Sequence, residues 1–466
     1  MKINPKIFKT YDIRALYPQE INEEIFPDVI KGIYTFFVRR LKKDVLSVGL
    51  SRDMRVSSPS LYNIAKETLV SLGAIVYELG LASTPTYYFA LLKNKLDAGI
   101  QVSASHNPKE YNGIKFAYRE GSEIRKVSAL SGMDEVKANA LNKDFVSNKD
   151  GGKSIEVKDV VAQEVKDALS TLPTQNINKF KVAVDPANAM GIVMIDELVK
   201  IVPLTLIKIN YELDGTFPAH EANPLKFDLL KDLQKKVIET KADLGIAPDG
   251  DGDRIFFIDE KGSIIPSKVI AALIAKELLA KNKGGAIVGD ICNTRNIQNA
   301  TNAAGGRFIV SRVGHSIITE VINKEHALFC GESSGHYFYR ESGGAENTLR
   351  TILIILEMMT RTKKLLSQLA QENLTSIESG EFNFKFEEGV DMPQVMEKIV
   401  SFYTQGVLST LDGVAVDFPT WRFSIRTSNT EPLMRLNVEG DTDKLVKIKL
   451  LEMSNRILSF GAVSKN

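Results

Sequence analysis

The chain has 466 residues, of which 44% are hydrophobic and 25% are charged, and its 59 Lys and Arg against 58 Asp and Glu leave a net charge of +1. This composition is typical of a folded globular protein and excludes a disordered, collagen-like or coiled-coil chain. A near-zero charge gives no long-range field that would attract nucleic acid or an anionic membrane, so we expect neither as a partner. At about 150 residues per domain, the length predicts three or four domains.

The two cysteines, Cys292 and Cys330, indicate neither a disulfide framework nor a zinc site. The first residues lack the apolar segment of a secretory signal. The longest apolar run, residues 352–359, is short and contains Glu357, which argues against a membrane span. We therefore expect a cytoplasmic protein.

Short apolar runs alternate with helix-like stretches in the first 140 residues. A helix is predicted to begin at Ser58-Pro59, a cap followed by proline, and to end at Gly73. The β-type run at residues 75–77 comes next. This alternation predicts βαβ units and a largely parallel sheet.

The second half of the chain adds further α/β segments and a different C-terminal part. The polar residues 142–155 suggest a boundary, a buried strand is predicted near Lys181, and a helix is predicted at residues 266–281. In the last hundred residues Phe382, Phe384 and Phe386 alternate as in a half-buried strand. An amphipathic helix with Leu445, Ile448 and Leu451 on its apolar face closes the chain, which indicates a smaller α+β domain.

Residues 95–100 (KLDAGI) and 241–246 (KADLGI) match at four of six positions. Each segment reads as a short strand that leads into a polar loop, SASHNP in the first case and PDGDGDR in the second. This sequence match predicts two related α/β units. Each would place a functional loop at the carboxyl end of a strand, where open α/β sheets hold their ligands.

The second of these loops carries Asp249, Asp251 and Asp253, separated by two glycines. Three carboxylates this close together repel one another unless a cation lies among them, and oxygen ligands favour Mg²⁺ or Ca²⁺. An EF-hand is an alternative because Glu260 falls at its twelfth position, but Arg254 stands where the sharp turn needs glycine and the flanks are β-type. A solvated acidic turn is a further alternative. We favour a strand-loop-strand metal site.

Three other loops are candidates for chemistry. SASHNP places Ser105 beside a histidine beyond a strand, although Ser, Asn and Pro also form ordinary turns. Residues 331–336 (GESSGH) offer groups that suit a polyol or sugar, or else form a helix-entry turn. Residues 426–431 (RTSNTE) combine an arginine with hydroxyl and amide groups, which suits a phosphate dianion, or else form a capped turn.

In this order the loops resemble those of the α-D-phosphohexomutase family, and most closely its bacterial and archaeal phosphomannomutase/phosphoglucomutase branch. The resemblance also covers YDIR (11–14), SRDMR (51–55), VDPAN (184–188), DGTFP (214–218) and VGH (313–315). It implies three related α/β domains with mixed sheets and a C-terminal α+β domain around a central cleft. We expect a phosphoserine domain at 1–150, a metal-loop domain at 151–258, a sugar-recognition domain at 259–373 and a phosphate-binding domain at 374–466.

The resemblance also implies roles for individual residues. The catalytic group, with a phosphoserine and its acid-base and orienting partners, comprises Ser105, Lys115, Arg254, His315 and His336. The substrate-binding group, which grips the sugar and its distal phosphate, comprises Tyr11, Arg14, Glu332, Ser334, Arg426, Ser428, Asn429 and Thr430. The metal group, expected to hold Mg²⁺, comprises Ser105, Asp249, Asp251 and Asp253. Glucose 1,6-bisphosphate or mannose 1,6-bisphosphate is the implied activator, hexose phosphates are the implied partners, and the oligomeric state stays open.

Three departures from the family pattern bear on the substrate. Ala15 replaces a usual glycine, Cys292 stands where close relatives have a sugar-contacting lysine, and residues 345–347 (AEN) replace a usual Asp-Gly or Asp-Ser. We expect a mutase that acts on mannose and glucose phosphates. A glucosamine phosphate mutase is one alternative, but such enzymes typically have GEQSGH, whereas Ser333 differs. An inactive sugar-phosphate-binding module is another, although it would be expected to lack Ser105 or one of the aspartates.

Overall fold

The computed structural model describes residues 2–172, 177–292, 294–387, 389–427 and 433–464. In these residues the backbone forms four β-sheets that pack against α-helices. The first three sheets contain both parallel and antiparallel pairs, whereas the fourth contains antiparallel pairs in the part of the chain described. The architecture is therefore three α/β domains with mixed sheets followed by a C-terminal domain with an antiparallel sheet and helices, as the sequence predicts.

The first sheet lies in the N-terminal part of the chain. Its strands are β1 (Ile13–Leu16), β2 (Ser47–Arg52), β3 (Ile75–Leu81), β4 (Ala98–Val102), β5 (Tyr111–Glu120), β6 (Glu123–Lys126) and β7 (Lys153–Glu156). The accompanying helices are α1 (Phe26–Leu41), α2 (Ser58–Ser71), α3 (Thr84–Lys93) and α4 (Met133–Asn142). The strand order is β1-β5-β4-β2-β3-β7, with β6 beside β5. The apolar faces of α1, α2 and α4 bury one core against this sheet, and α3 packs in a second cluster.

The second sheet follows the same plan with fewer strands. Its elements are α5 (Val160–Thr171), β8 (Phe180–Val184), α6 (Gly191–Leu198), β9 (Leu204–Lys208), α7 (Lys231–Thr240), β10 (Leu244–Pro248), β11 (Ile255–Asp259) and β12 (Ile264–Ile265). The strand order is β12-β11-β10-β8-β9.

The third sheet has the order β14-β13-β15-β16-β17, where the strands are β13 (Ala286–Asp290), β14 (Arg307–Ser311), β15 (Phe329–Gly331), β16 (Tyr337–Tyr339) and β17 (Ala345–Glu346). Its helices are α8 (Ser267–Lys281), α9 (Arg295–Ala303), α10 (His315–Glu325), α11 (Thr348–Thr362) and α12 (Leu366–Asn373). Apolar side chains of α8 and α11 join this sheet and the second one in a single large core.

The fourth sheet is formed by β18 (Ile377–Glu378), β19 (Phe382–Lys385), β20 (Val407–Ser409), β21 (Val414–Asp417), β22 (Trp421–Thr427), β23 (Leu433–Gly440) and β24 (Val463–Ser464). Its strand order is β20-β21-β22-β23-β19-β24, with β18 beside β23. The helices α13 (Met392–Val400) and α14 (Asp443–Leu458) contribute to a separate apolar core. Among the described residues, no helix combines the length and the hydropathy needed to cross a membrane.

One arrangement recurs in the first three sheets. The strands β4, β10 and β15 each pair in parallel with one neighbour and antiparallel with the next strand along the chain. The loop after each of these strands carries a candidate motif: SASHNP, DGDGDR or GESSGH. The sequence match between residues 95–100 and 241–246 therefore falls on strands that occupy equivalent positions in their sheets. The motif loops follow the carboxyl ends of these strands.

The local predictions hold for α2, β3 and α8, but the apolar face of α14 was assigned wrongly. Ile448 and Leu451 are 51% and 64% exposed, whereas Val446, Met453 and Ile457 are buried. At 3.6 residues per turn, the three buried residues lie along one side of the helix and the two exposed ones lie on the opposite side. The alternating strand is confirmed for Phe382 to Lys385.

Candidate active site

Ser105 lies in the loop between β4 and β5 and is 2% exposed. Its φ of 52° places it in the left-handed region, which residues other than glycine seldom adopt. The Ser105 Oγ atom is 3.1 Å from His106 Nδ1. Burial, together with the charges of Arg254 and Arg14, lowers the pKa of His106 to about 2. The neutral ring can therefore accept a hydrogen bond from the serine hydroxyl.

The Asp-rich loop joins β10 and β11 as an antiparallel hairpin, which supports the strand-loop-strand interpretation and excludes the helical flanks of an EF-hand. The loop lies directly against the serine loop. A Cβ atom on Gly250 would be 2.3 Å from the Ser105 carbonyl oxygen, so glycine is required for this approach. As a result, the Ser105 hydroxyl reaches Asp249 Oδ2 at 3.4 Å.

Lys115 on β5 occupies the space between the other two aspartates. Its Nζ atom is 2.5 Å from Asp251 Oδ2 and 2.6 Å from Asp253 Oδ2. Burial favours the neutral amine, but these two carboxylates outweigh it and raise the pKa of Lys115 above its ordinary value. The lysine is therefore a cation that neutralises part of the buried acidic cluster.

The cluster of Asp249, Asp251 and Asp253 fits a divalent cation. All three are buried, and each can offer an oxygen within 4.8 Å of the others. The Asp251 Oδ1 atom is buried without a hydrogen-bond partner. Burial raises the pKa of Asp249, and the charges of Asp253 and Asp251 raise it further, as expected for carboxylates this close together. An oxygen-only donor set of this kind suits a hard ion such as Mg²⁺.

His336 is the last residue of the GESSGH loop (331–336), the predicted sugar loop, and links it to the acidic cluster. Its Nδ1 atom is 2.6 Å from Glu332 Oε2, and its Nε2 atom is 3.2 Å from Asp253 Oδ1. Burial opposes the charged ring, but the two carboxylates raise the pKa of His336 to about 9. The Arg254 Nε atom also lies 3.1 Å from His336 Nε2. Because a protonated nitrogen cannot accept a hydrogen bond, the ion pair with Asp253 is the contact that fits the raised pKa of His336.

The remaining predicted residues of the first domain lie at the edge of the same site. Arg14 donates to the Asn107 side chain in the serine loop. The ring of Tyr11 is 5.4 Å from that of His315, which begins α10. Burial, with the nearby charge of Lys126, lowers the pKa of His315 well below its ordinary value. His315 is therefore neutral, unlike His336.

Arg426, at the end of β22, faces the sugar loop across a cavity of about 750 Å³. Its NH1 atom is 3.6 Å from Asp412 Oδ2, and its Nε atom is buried without a hydrogen-bond partner. Ser334 and Cys292 line the same cavity. Ser428, Asn429 and Thr430, which were predicted to bind the same phosphate, lie outside the described residues.

The structure thus places ten of the predicted residues in one connected network around Ser105, and Tyr11, His315 and Arg426 at its edges. The network comprises Arg14, Ser105, Lys115, Asp249, Asp251, Asp253, Arg254, Glu332, Ser334 and His336. These residues come from three sheets and meet where their motif loops converge.

Sequence reasoning missed one contributor to the site, Thr84, and one contact, the pairing of Glu346 with Lys126. Thr84 donates to Asp251 Oδ2 at 2.5 Å from the first turn of α3. The sequence does indicate a helix start at this position, because Ser83 is followed by Thr84 and Pro85 in another cap-and-proline pattern. Glu346 forms a buried ion pair with Lys126 from the first domain. These two residues are 220 positions apart, and no local pattern relates them.

A fold of three related mixed-sheet domains and a fourth antiparallel one, with a buried serine beside three aspartates, is the architecture of a phosphohexomutase. Models of all four phosphoglucomutase/phosphomannomutase domains match the chain: α/β/α domain I at residues 5–142, domain II at 162–262, domain III at 266–377 and the C-terminal domain at 381–449. The chain belongs to this family.

Curated relatives match over almost the whole length. A phosphomannomutase from Vibrio cholerae is 33% identical over 460 residues, which is 97% of this chain and 98% of that protein. A phosphomannomutase from Escherichia coli is 33% identical over 97% of each chain. A protein from Xanthomonas campestris described as phosphohexose mutases is 32% identical over 96% of this chain and 98% of its own.

Solved structures show the same architecture. A phosphoglucomutase/phosphomannomutase family protein from Burkholderia thailandensis superposes with a TM-score of 0.88 at 26% identity, with 100% of both chains covered. An N-acetylphosphoglucosamine mutase from Aspergillus fumigatus, solved with GlcNAc-6P and magnesium, has a TM-score of 0.60 at 14% identity over 98% of this chain and 96% of its own. The second likeness concerns the fold alone.

Proposed function

We propose that this protein reversibly moves a phosphoryl group between C1 and C6 of a hexose phosphate, mannose and/or glucose, through a phosphoserine at Ser105 and a hexose 1,6-bisphosphate intermediate. The observation that carries the proposal is the contact of a buried serine hydroxyl with a cluster of three aspartates and a lysine. Curated relatives named phosphomannomutase support the choice of sugar.

In the first half-reaction, phosphorylated Ser105 gives its phosphoryl group to the free hydroxyl of a hexose monophosphate. The bond between phosphorus and Ser105 Oγ breaks, a bond to the sugar oxygen forms, and the proton lost by the sugar hydroxyl is passed on to Ser105 Oγ, which leaves as a neutral hydroxyl. Such a transfer needs alignment and charge neutralisation more than covalent chemistry. Lys115 and Arg254 supply positive charge close to the serine.

Lys115, His336 and His315 differ in protonation state, and we assign their roles accordingly. Lys115 and His336 carry protons because neighbouring carboxylates raise their pKa values, and they serve as acids. His315 is neutral, since its pKa is lowered by burial and nearby cations, and it can accept a hydrogen bond from a sugar hydroxyl. Glu332 and Ser334, which hydrogen-bond to each other at 2.7 Å, serve as ligands of the sugar hydroxyls.

Arg426 holds the phosphate that does not react. A hexose that carries phosphate at one end must be held there while its other end approaches Ser105. The intermediate then turns end over end, so that its other phosphate returns to the serine. The cavity between Arg426 and the sugar loop provides room for this second phosphate. Water must be excluded during the turn, which we expect the C-terminal domain to achieve by closing over the cleft.

Mg²⁺ is the proposed metal, held by Asp249, Asp251, Asp253 and the phosphate of Ser105. When bound, it offsets the negative charge of the phosphoryl group and polarises it. The unpartnered Asp251 Oδ1 and the convergence of three buried carboxylates support this assignment. Glucose 1,6-bisphosphate or its mannose analogue is the proposed activator, because it can phosphorylate an empty Ser105.

A coupled assay with mannose 1-phosphate, glucose 1-phosphate and glucosamine 1-phosphate tests the proposal. We expect conversion of the mannose and glucose esters to their 6-phosphates, with little turnover of the glucosamine ester and no release of inorganic phosphate. Ser105→Ala is the matched control and should abolish every conversion. Release of inorganic phosphate without isomerisation would show a phosphatase, and exclusive use of glucosamine 1-phosphate would show the alternative mutase.

A further inference from the structure

Arg55 is among the largest fully buried side chains of the protein, and its guanidinium holds the serine loop. Its NH2 nitrogen donates to the carbonyl oxygens of Ser105 at 2.7 Å and Asn107 at 2.6 Å. Its NH1 nitrogen donates to the carbonyl oxygens of Pro108 at 2.7 Å and Tyr111 at 3.0 Å. One side chain therefore fixes four backbone positions of the loop that carries the proposed phosphoserine.

Arg55 is itself held on one side by Asp53. The Asp53 Oδ2 atom is 3.2 Å from Arg55 Nε, and Asp53 Oδ1 accepts hydrogen bonds from the Arg55 amide at 3.0 Å and the Ser58 hydroxyl at 2.6 Å. Both side chains of the pair are almost completely buried. The SRDMR motif of the sequence thus forms a rigid support for the serine loop.

The other side of Arg55 is covered by the second domain. The ring of Phe217 lies 5.1 Å from the centre of the Arg55 guanidinium, a distance at which a cation and an aromatic face attract each other. The backbones also touch, because a Cβ atom on Gly215 would be 2.5 Å from the Met54 carbonyl oxygen and 2.6 Å from Arg55 Cα. The DGTFP motif (214–218) therefore packs directly against Arg55.

The loop that carries Phe217 is anchored within its own domain at both ends. Asp185 accepts hydrogen bonds from Asn210 at 3.1 Å and lies 3.2 Å from His220 Nε2. Close to His220, the carbonyl oxygen of Ala222 accepts a hydrogen bond at 3.1 Å from the amide of Gly250, which lies between the metal-binding aspartates. The same loop thus contacts the support of the serine and the backbone of the aspartates.

We propose that Arg55 and Phe217 are positioning residues for phosphoryl transfer, and that together they hold the Ser105 loop in register with the aspartates of the second domain. The inference rests on the proposed role of Ser105 in catalysis. Ser105 has a left-handed backbone, so its loop needs support to keep this conformation. Arg55 and Phe217, which we call the clamp, supply this support from two domains. The SRDMR, VDPAN and DGTFP motifs would then all contribute to positioning the Ser105 loop.

Phe217→Leu is the most informative variant, because it keeps an apolar side chain at a half-buried position and removes the aromatic face. We expect backbone amides of residues 104–111 to exchange hydrogen about tenfold faster in the unphosphorylated protein, measured by mass spectrometry. We also expect kcat to fall about tenfold while KM for the hexose 1-phosphate stays unchanged, since the sugar and its phosphate contact other loops. Phe217→Tyr should restore both values.

A second cation-aromatic pair offers the matched control. Arg456 lies 3.9 Å from the ring of Phe402, which is 57% exposed in the fourth domain. Phe402→Leu should therefore leave the exchange of residues 104–111 and kcat as in the parent protein. Arg55→Lys, which keeps the charge but cannot reach four carbonyl groups, should accelerate the exchange at least as much as Phe217→Leu.

The exchange measurement requires no turnover, so it separates this inference from the proposed function. Unchanged exchange and unchanged kcat in Phe217→Leu would overturn the clamp even if the protein is a mutase. A change in KM alone would also overturn it, because that result would place Phe217 in substrate binding. Full activity in Ser105→Ala, in contrast, would overturn the proposed function and leave the structural effect on the loop measurable.

Discussion

The Ser105 hydroxyl lies 3.4 Å from Asp249 Oδ2, although 144 residues separate the two along the chain. The contact joins the motif loops of the first and second sheets. Burial and the neighbouring aspartates raise the pKa of Asp249, and a bound cation would favour its charged form.

Asp251→Asn should weaken Mg²⁺ binding and lower turnover by at least about 100-fold, because it removes one of three anionic ligands from a site that stabilises charge. Titration calorimetry and the coupled assay measure the two effects. Asp228→Asn, at an exposed aspartate of the same domain, is the control and should change neither. A protein that keeps its full rate after treatment with EDTA would contradict the metal assignment.

Glu164 gives a prediction for stability. It is buried on α5, where it accepts a hydrogen bond from the Thr86 hydroxyl at 2.6 Å, and desolvation raises its pKa from 4.5 to about 7. An acid whose pKa is higher in the folded state stabilises the fold below pH 4.5, and this contribution is lost as the pH rises through 7. Relative to the parent, Glu164→Gln should gain about 3 kcal/mol in free energy of unfolding between pH 4.5 and pH 8.

Urea unfolding at several pH values measures this gain. The exposed Glu156→Gln serves as the control and should follow the parent protein at every pH. A constant difference between Glu164→Gln and the parent across this range would show that Glu164 has an ordinary pKa in the folded protein.

Arg426→Ala tests the second phosphate site. Loss of a charge-assisted bidentate contact costs about 2–4 kcal/mol, which corresponds to a decrease in kcat/KM of roughly 30- to 700-fold. Both directions of the reaction should be impaired, and turnover should depend more strongly on added glucose 1,6-bisphosphate because the intermediate escapes. Arg361→Ala, at a half-exposed surface arginine, is the control. Normal turnover of hexose 1-phosphate by Arg426→Ala would show that this arginine is structural.

The motif loops could be predicted from the sequence because strand and loop signals are local. The DGDGDR and SASHNP loops each follow a short apolar strand, and the structure has β10 and β4 there. The convergence of the loops could be predicted only through the family resemblance. Composition and periodicity alone contain no information on which distant loops meet.

Other features depend on tertiary packing and had no local signal. The buried face of α14 is set by its contact with the fourth sheet, so the apolar Ile448 and Leu451 were wrongly assigned to it. The protonation states of His315 and His336 differ because one ring lies near lysines and the other lies between carboxylates. The pair of Lys126 and Glu346 joins two domains, and neither sequence segment indicates it.

The phosphorylation state of Ser105 tests the central claim most directly. Protein purified without phosphatase treatment should contain a fraction that is one phosphate heavier by intact-mass analysis, with the phosphate mapped to the peptide that contains Ser105. Incubation with glucose 1,6-bisphosphate should increase this fraction, and Ser105→Ala should lack it and be inactive. A phosphate found only at another residue, or full mutase activity in Ser105→Ala, would contradict the account.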